Sequence, residues 1–308
     1  MTVSENLKSV NLQNGEQISY RVRSGGEKLL LLIHGNMTSS KHWDLLMESL
    51  SSDYTIVAPD LRGFGQSTYN KRVQHIRDFS DDIKNFIDLL NLKDFSMAGW
   101  STGGAIAMQF CIDYPGYCNK LVLLASASTR GYPFYKANNE GSAEVSQRFT
   151  TIEEIEADEG RTLPMQALYD TGNREGLRAV WNAAIYTHNQ PEEDRYEEYI
   201  DDMLTQRNLA DIYHVLNTFN ISHLDNEAAK GTGKVNQINI PVLILYGERD
   251  YVVPFQMTNE IIEDFGERAK SVKLVNCGHS PLVDDLGQLT EQIESFLKEG
   301  SKKNAITE

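Results

Sequence analysis

The feature that most constrains this chain is a set of short, dominantly apolar runs: residues 28–33 (KLLLLI), 55–58 (TIVA), 95–98 (FSMA), 120–125 (KLVLLA) and 242–246 (VLILY). Each is too short for a buried helix and too apolar for a strand with one wet face. Such runs suit strands covered on both sides. Helical spacing fills the gaps: residues 43–50, the set Ile83, Phe86, Ile87, Leu89 and Leu90, residues 105–114, a stretch from Gln256, and residues 286–297. Residues 271–275 add a strand, and residues 17–22 (QISYRV) alternate as an antiparallel edge strand should. Strand then helix, repeated, implies an α/β fold: a mostly parallel, doubly wound sheet of about eight strands. A site is then expected in the loops at the carboxyl ends of the strands.

The alternation breaks between residues 126 and 236. No buried strand run occurs there, and helical stretches are expected around residues 143–159, 165–170, 175–187 and 192–221. Gly231-Thr232-Gly233-Lys234 reads as a return linker. Residues 1–125 and 237–308 are therefore expected to form the core, and 126–236 an all-helical cap over the carboxyl edge of the sheet. A length of 308 residues suits one core domain with one large insertion.

A formal net charge of −15 and a pI near 4.9 disfavour nucleic acid and anionic membrane surfaces as partners. No apolar stretch approaches the roughly 20 residues of a membrane span, and residues 1–10 lack the pattern of a signal peptide. The three cysteines, Cys111, Cys118 and Cys277, are an odd number without ligand spacing, as expected of reduced thiols in a cytoplasmic protein. His42, His75, His188, His214 and His223 are scattered and suggest no metal site.

The run at 95–98 leads into Gly99-Trp100-Ser101-Thr102-Gly103-Gly104-Ala105. A strand, a Gly-x-Ser-x-Gly turn and a helix form a nucleophile elbow, which lifts the Ser101 hydroxyl on a strained corner. Side chains at Gly99 or Gly103 would collide with the neighbouring strand or helix, and the small Gly104 and Ala105 let helix N–H groups face a developing oxyanion. A serine hydroxyl needs a general base, itself oriented by a carboxylate. Asp250 follows the strand at 242–246, and His279 follows the strand at 271–275, with Gly278 easing its presentation. Glu248, Asp284 and Asp285 are the competing carboxylates nearby.

The chain order Ser101, Asp250, His279 joins four further patterns: His34-Gly35, Asp60-x-Arg62-Gly63-x-Gly65-x-Ser67, Gly247-x-x-Asp250 and Gly278-His279. At matching strand ends over roughly residues 28–125 and 241–297, this set resembles the α/β-hydrolase family. The resemblance implies a helical cap inserted after the sixth core strand, and a triad of Ser101, His279 and Asp250, with Asp250 preferred among the acids. It implies an oxyanion hole from the backbone N–H groups of Asn36 and Thr102, with Met37 the alternative to Asn36. His34 is expected to brace the oxyanion loop. Arg62 could meet an anionic substrate, but a structural role suits its loop better. Related dehalogenases and epoxide hydrolases use a carboxylate nucleophile, so Ser101 directs the expectation to acyl chemistry.

The expected pocket is apolar, with Met37, Trp100, Trp181 and Phe219 as lining candidates. The expected function is a serine hydrolase of carboxylic esters or lactones, with a small-molecule substrate as partner, no cofactor and no metal. The rivals are C–C bond hydrolysis or lyase chemistry on the same scaffold, and a non-catalytic ligand-binding protein with a hydrolase fold.

Overall fold

The computed structural model describes residues 7–137 and 143–299. Its strands are β1 (Leu7–Asn11), β2 (Gln17–Arg23), β3 (Lys28–Ile33), β4 (Tyr54–Pro59), β5 (Phe95–Trp100), β6 (Cys118–Leu124), β7 (Tyr135–Ala137), β8 (Ala143–Arg148), β9 (Val242–Gly247) and β10 (Ala269–Leu274). All but β7 and β8 form one eight-stranded sheet in the order β1-β2-β4-β3-β5-β6-β9-β10. β2 pairs antiparallel with both β1 and β4, and the remaining pairs are parallel. The expected edge strand β2 is thus second from the edge. β1 is mostly exposed and carries no apolar run, so only its register against β2, from Leu7 opposite Arg21 to Asn11 opposite Gln17, makes it a strand.

Helices α1 (Asp44–Ser49), α2 (Ile76–Leu89) and α3 (Thr102–Asp113) connect the first strands. Between β6 and β9 lie α4 (Ile152–Glu156), α5 (Thr162–Asp170), α6 (Arg174–Ala184), α7 (Glu193–Met203) and α8 (Leu209–Thr218). The chain ends with α9 (Phe255–Phe265), α10 (Pro281–Asp284) and α11 (Leu286–Lys298).

The period-two geometry of strands sorts the apolar runs onto two faces. Leu31, Ile33, Met97, Leu121 and Leu123 pack with Phe79, Ile83 and Phe86 of α2 and Ile106 and Phe110 of α3. Leu30, Leu32, Ala98, Val122 and Leu124 pack with Leu46 of α1 and Leu289 and Ile293 of α11. Complete burial of each large aliphatic or aromatic chain contributes about 1.5–3 kcal/mol, which is why these runs lock into the centre of the sheet.

The segment between β6 and β9 departs from the expected helices in two places. Residues 143–148 form β8 of a hairpin with β7, and helix begins only at Ile152. The Thr151 side chain caps that helix at the Glu154 N–H (3.3 Å), a start signal that sets the boundary. The long helix expected over residues 192–221 is two helices. At the break, the Asn208 amide donates to the Arg62 carbonyl (2.8 Å) and the Arg207 N–H to the Gly63 carbonyl (2.9 Å). Docking onto a core loop outweighs helical continuity there.

Strand order places β3 and β5 side by side, although the chain leaves them in opposite directions to reach β4 and β6. This is the crevice where loops diverge and a site can form. A Cβ on Gly35 would lie 3.1 Å from the Ser101 Cβ, so the two loops touch there. Among the described residues, no helix is long and apolar enough to cross a membrane.

Candidate active site

Ser101 sits between β5 and α3 with φ +56° and ψ −119°, a backbone state costing about 1–3 kcal/mol for a residue with a side chain. Three hydrogen bonds hold it. The Ser101 N–H donates to the Leu124 carbonyl (2.9 Å), while its carbonyl accepts from Gly104 (3.0 Å) and Ala127 (3.1 Å). The glycines are obligatory on steric grounds. A Cβ at Gly99 would lie 2.3 Å from the Gly103 carbonyl oxygen, and one at Gly103 would lie 2.2 Å from that of Ile33.

His279 follows β10, and its Nδ1 lies 2.8 Å from Oδ2 of Asp250. The other carboxylate oxygen of Asp250 accepts from the N–H groups of Val252 and Val253, both at 2.8 Å. A carboxylate accepts but cannot donate, so Nδ1 carries a proton, which leaves the lone pair of the neutral ring on Nε2. Trp100 braces the same loop by donating its indole N–H to the His279 carbonyl (2.9 Å). Ser101 and His279 line one cavity of about 350 Å³. Among the described residues, no hydrogen bond joins the serine hydroxyl to the imidazole, a contact that commonly tightens only with substrate.

The competing acids are engaged elsewhere. Glu248 pairs with Lys273 (3.0 Å) and accepts from the Asn276 N–H (3.3 Å). Asp285 caps α11 at Gln288 (2.9 Å). Asp284 accepts from Gly278 (2.7 Å) and Asn189 (3.1 Å), tying the His279 loop to the segment between α6 and α7. Cys277 is buried outside the cavity lining, and burial pushes its thiol up to about 12, so it stays protonated near neutrality.

Thr102 opens α3, so its N–H has no acceptor within the helix. Across the crevice, Asn36 and Met37 line the cavity, and Met37 has φ +60°. The Asn36 side-chain oxygen accepts from Gln206 (2.8 Å), which commits that side chain to the inserted segment. His34 lies beneath this turn. Its Nε2 accepts from the Leu61 N–H (2.9 Å) and its Nδ1 donates to the Gly35 carbonyl (2.8 Å). Burial is the largest influence on this ring and pulls its pKa down to about 4, so it is neutral and braces the turn. Arg62 forms a two-pronged pair with Asp82 (2.8 and 2.6 Å) away from the cavity. The Ser67 hydroxyl donates to the Asp60 carbonyl (2.7 Å). That whole motif holds the loop after β4.

Of the expected pocket residues, Met37, Trp100 and Trp181 line the cavity with Met165, Val180 and Ile185. Phe219 does not. It follows α8 with 5% exposure and packs into the core beside Leu216 and Ile221. Helical spacing marks it as buried without saying on which side. One cavity residue has no sequence signal at all: Arg161, whose guanidinium lies 4.6 Å from the Phe134 ring centroid and 5.1 Å from that of Tyr213.

Comparison with known proteins bears on this geometry. The chain is 24% identical over 288 residues to the 2-hydroxymuconate semialdehyde hydrolase of Pseudomonas sp. (strain CF600), covering 90% of this chain and 89% of that one. It is 23% identical over 276 residues to the pimeloyl-[acyl-carrier protein] methyl ester esterase of Aliivibrio fischeri, covering 88% and 93%. An esterase from Exiguobacterium antarcticum superposes with a TM-score of 0.72 at 17% identity, over 94% of this chain and 99% of that one, a likeness of fold. The model of the alpha/beta hydrolase fold matches residues 28–286, and the chain belongs to that family.

Proposed function

We propose that this protein hydrolyses carboxylic esters, lactones included, through an acyl-enzyme on Ser101. The observation that carries the reading is the Asp250–His279 pair at 2.8 Å, its acid held by two further N–H groups, facing the cavity that Ser101 lines. The Ser101 oxygen attacks the carbonyl carbon as its proton passes to His279 Nε2. The carbonyl oxygen becomes an oxyanion, which the N–H groups of Thr102 and of Asn36 or Met37 stabilise. One such donor is typically worth ~2.7–4 kcal/mol. The C–O bond then breaks and the imidazolium returns the proton to the departing alcohol. Water, deprotonated by His279, attacks the acyl carbonyl; the bond to the Ser101 oxygen breaks, and the imidazolium returns its proton to Ser101 as the acid leaves.

Asp250 keeps the proton on Nδ1, so Nε2 faces the reaction as a base. Residues 126–236 act as a cap in this reading, since Arg161, Met165, Val180, Trp181 and Tyr213 close the cavity over the strand ends. The cavity is mostly apolar, which suits a small acyl or alcohol group.

The test is turnover of p-nitrophenyl esters and of aliphatic lactones by the protein and by Ser101→Ala. Wild type should hydrolyse at least one member and be labelled by an organophosphonate on the peptide carrying Ser101, and the variant should lose at least ~10⁴ in kcat and all labelling. Activity of Ser101→Ala near that of wild type would sink the mechanism.

A further inference from the structure

Arg161 poses a separate question. It is the residue before α5 and lines the same cavity as Ser101 and His279. Its guanidinium lies over the rings of Phe134 (4.6 Å), Tyr213 (5.1 Å) and Tyr132 (5.6 Å). The rings turn their faces to the cation, and at an exposed site each such contact contributes about 0.5–1 kcal/mol. They do not neutralise it. Phenols and a phenyl ring carry no charge near neutrality.

Among the described residues, no carboxylate lies within ion-pair distance of Arg161. The contrast within the chain is clear. Arg62, Arg72, Arg130, Arg174, Arg178 and Arg195 each meet an Asp or Glu. Arg23, Arg148, Arg207 and Arg268 donate to backbone carbonyls. The nearest acid in sequence, Asp158, is taken up by backbone. Its oxygens accept from the N–H groups of Gly160 (3.0 Å), Arg161 (3.1 Å) and Thr162 (3.1 Å). Arg161 is solvent-exposed and lines the cavity with Met165, Val180, Trp181 and Ile185, so its charge is open to an anionic ligand there.

We propose that Arg161 is an anion subsite, and that the natural substrate carries a carboxylate besides the bond that is cleaved. The inference rests on the reading of the Ser101 cavity as the active site, but not on which bond breaks there. One guanidinium matches one negative charge; a phosphate dianion would leave its second charge without a cationic partner. The planar fork of a guanidinium can present two parallel N–H groups to both oxygens of a carboxylate. A chain with net charge −15 gives no long-range attraction to such a substrate, so discrimination has to come from this local contact.

The experiment compares matched esters on wild type, Arg161→Gln and Arg161→Lys. Mono-p-nitrophenyl glutarate against p-nitrophenyl pentanoate places the charge on the acyl side. 4-Acetoxybenzoate against phenyl acetate places it on the leaving group. In at least one pair, wild type should favour the anion in kcat/KM, the ratio should fall at least tenfold in Arg161→Gln, and Arg161→Lys should recover part of it. A wild type that favours the neutral ester in both pairs, or a glutamine variant that loses both members equally, overturns the proposal.

Binding separates this from failure of the ester reading. Quenching of tryptophan fluorescence by glutarate and by benzoate, titrated on Ser101→Ala with and without Arg161→Gln, needs no turnover. Saturable binding of either acid that Arg161→Gln weakens at least tenfold upholds the subsite even if no ester is hydrolysed. Binding unaffected by the substitution, or no binding of either acid, refutes it. Arg161→Lys serves as the second variant should the glutamine protein fail to fold.

Discussion

Asp250→Asn is a near-isosteric change whose consequence follows from three hydrogen bonds. One oxygen accepts from the N–H groups of Val252 and Val253, both at 2.8 Å, and the other meets Nδ1 of His279 at 2.8 Å. An asparagine must choose which side receives its oxygen. Turning the NH₂ toward Val252 and Val253 would leave two donors facing donors, at about 1–3 kcal/mol for each unsatisfied group. The amide oxygen therefore stays on that side and the NH₂ faces His279. Nδ1 must then accept, so the ring proton moves to Nε2, the atom that takes the proton of Ser101 in the proposed mechanism. A tautomer exchange of this kind costs about 10⁴ in kcat, or about 5 kcal/mol of barrier. The count of hydrogen bonds is conserved, so the melting temperature should move by only a few degrees. The assay is kcat/KM on the best p-nitrophenyl ester, beside a thermal melt of the same preparation. A folded Asp250→Asn protein within tenfold of wild type would refute the argument that Asp250 sets the tautomer of the base.

Other expectations follow from the same geometry. Gly103→Ala puts a Cβ 2.2 Å from the Ile33 carbonyl oxygen and 2.6 Å from that of His34, so α3 must move off the sheet. A loss of about 1–3 kcal/mol in denaturant unfolding, with at least a tenfold drop in activity, is expected. Gly287→Ala, whose Cβ would meet Asp285 at an ordinary 3.6 Å, should be close to neutral. His34 supplies a pH signature. Its folded pKa of about 4 lies below the ordinary 6.5, so the unfolded chain binds more protons between those values. Stability is full above about pH 6.5 and falls as pH drops toward 4, by roughly 3 kcal/mol from this group. Urea unfolding of wild type and His34→Gln at pH 7.5 and 4.5 should give a smaller acid-induced loss in the variant, and equal losses would remove His34 as the cause.

Much of this arrangement could be read from the chain by itself, because its signals are local. The apolar stretches at 30–33, 121–124 and 242–245 are buried on both faces, and few other environments accept four successive large aliphatics. The elbow around Ser101 announces itself because Gly99 and Gly103 answer steric limits within a few residues of chain. Asp250 and His279 were legible as residues that follow strands. Their pairing, between positions 29 apart in sequence, was expected only through the family resemblance, and the fold supplies the 2.8 Å contact.

What tertiary structure alone decided is everything that depends on two distant segments meeting. β1 becomes a strand because β2 offers it a partner, and residues 192–221 break into two helices because Asn208 finds the Arg62 carbonyl. Phe219 turns into the core while Trp181 turns toward the cavity, although helical spacing marks both only as buried. Arg161 is the clearest case. In sequence it is one charged residue after a glycine, and only folding brings Phe134 and Tyr213 beside it and Ser101 into the same cavity. Periodicity reports how a residue relates to its own helix or strand. The identity of the neighbour across the gap is set by packing, and the chemistry of this cavity lies in those neighbours.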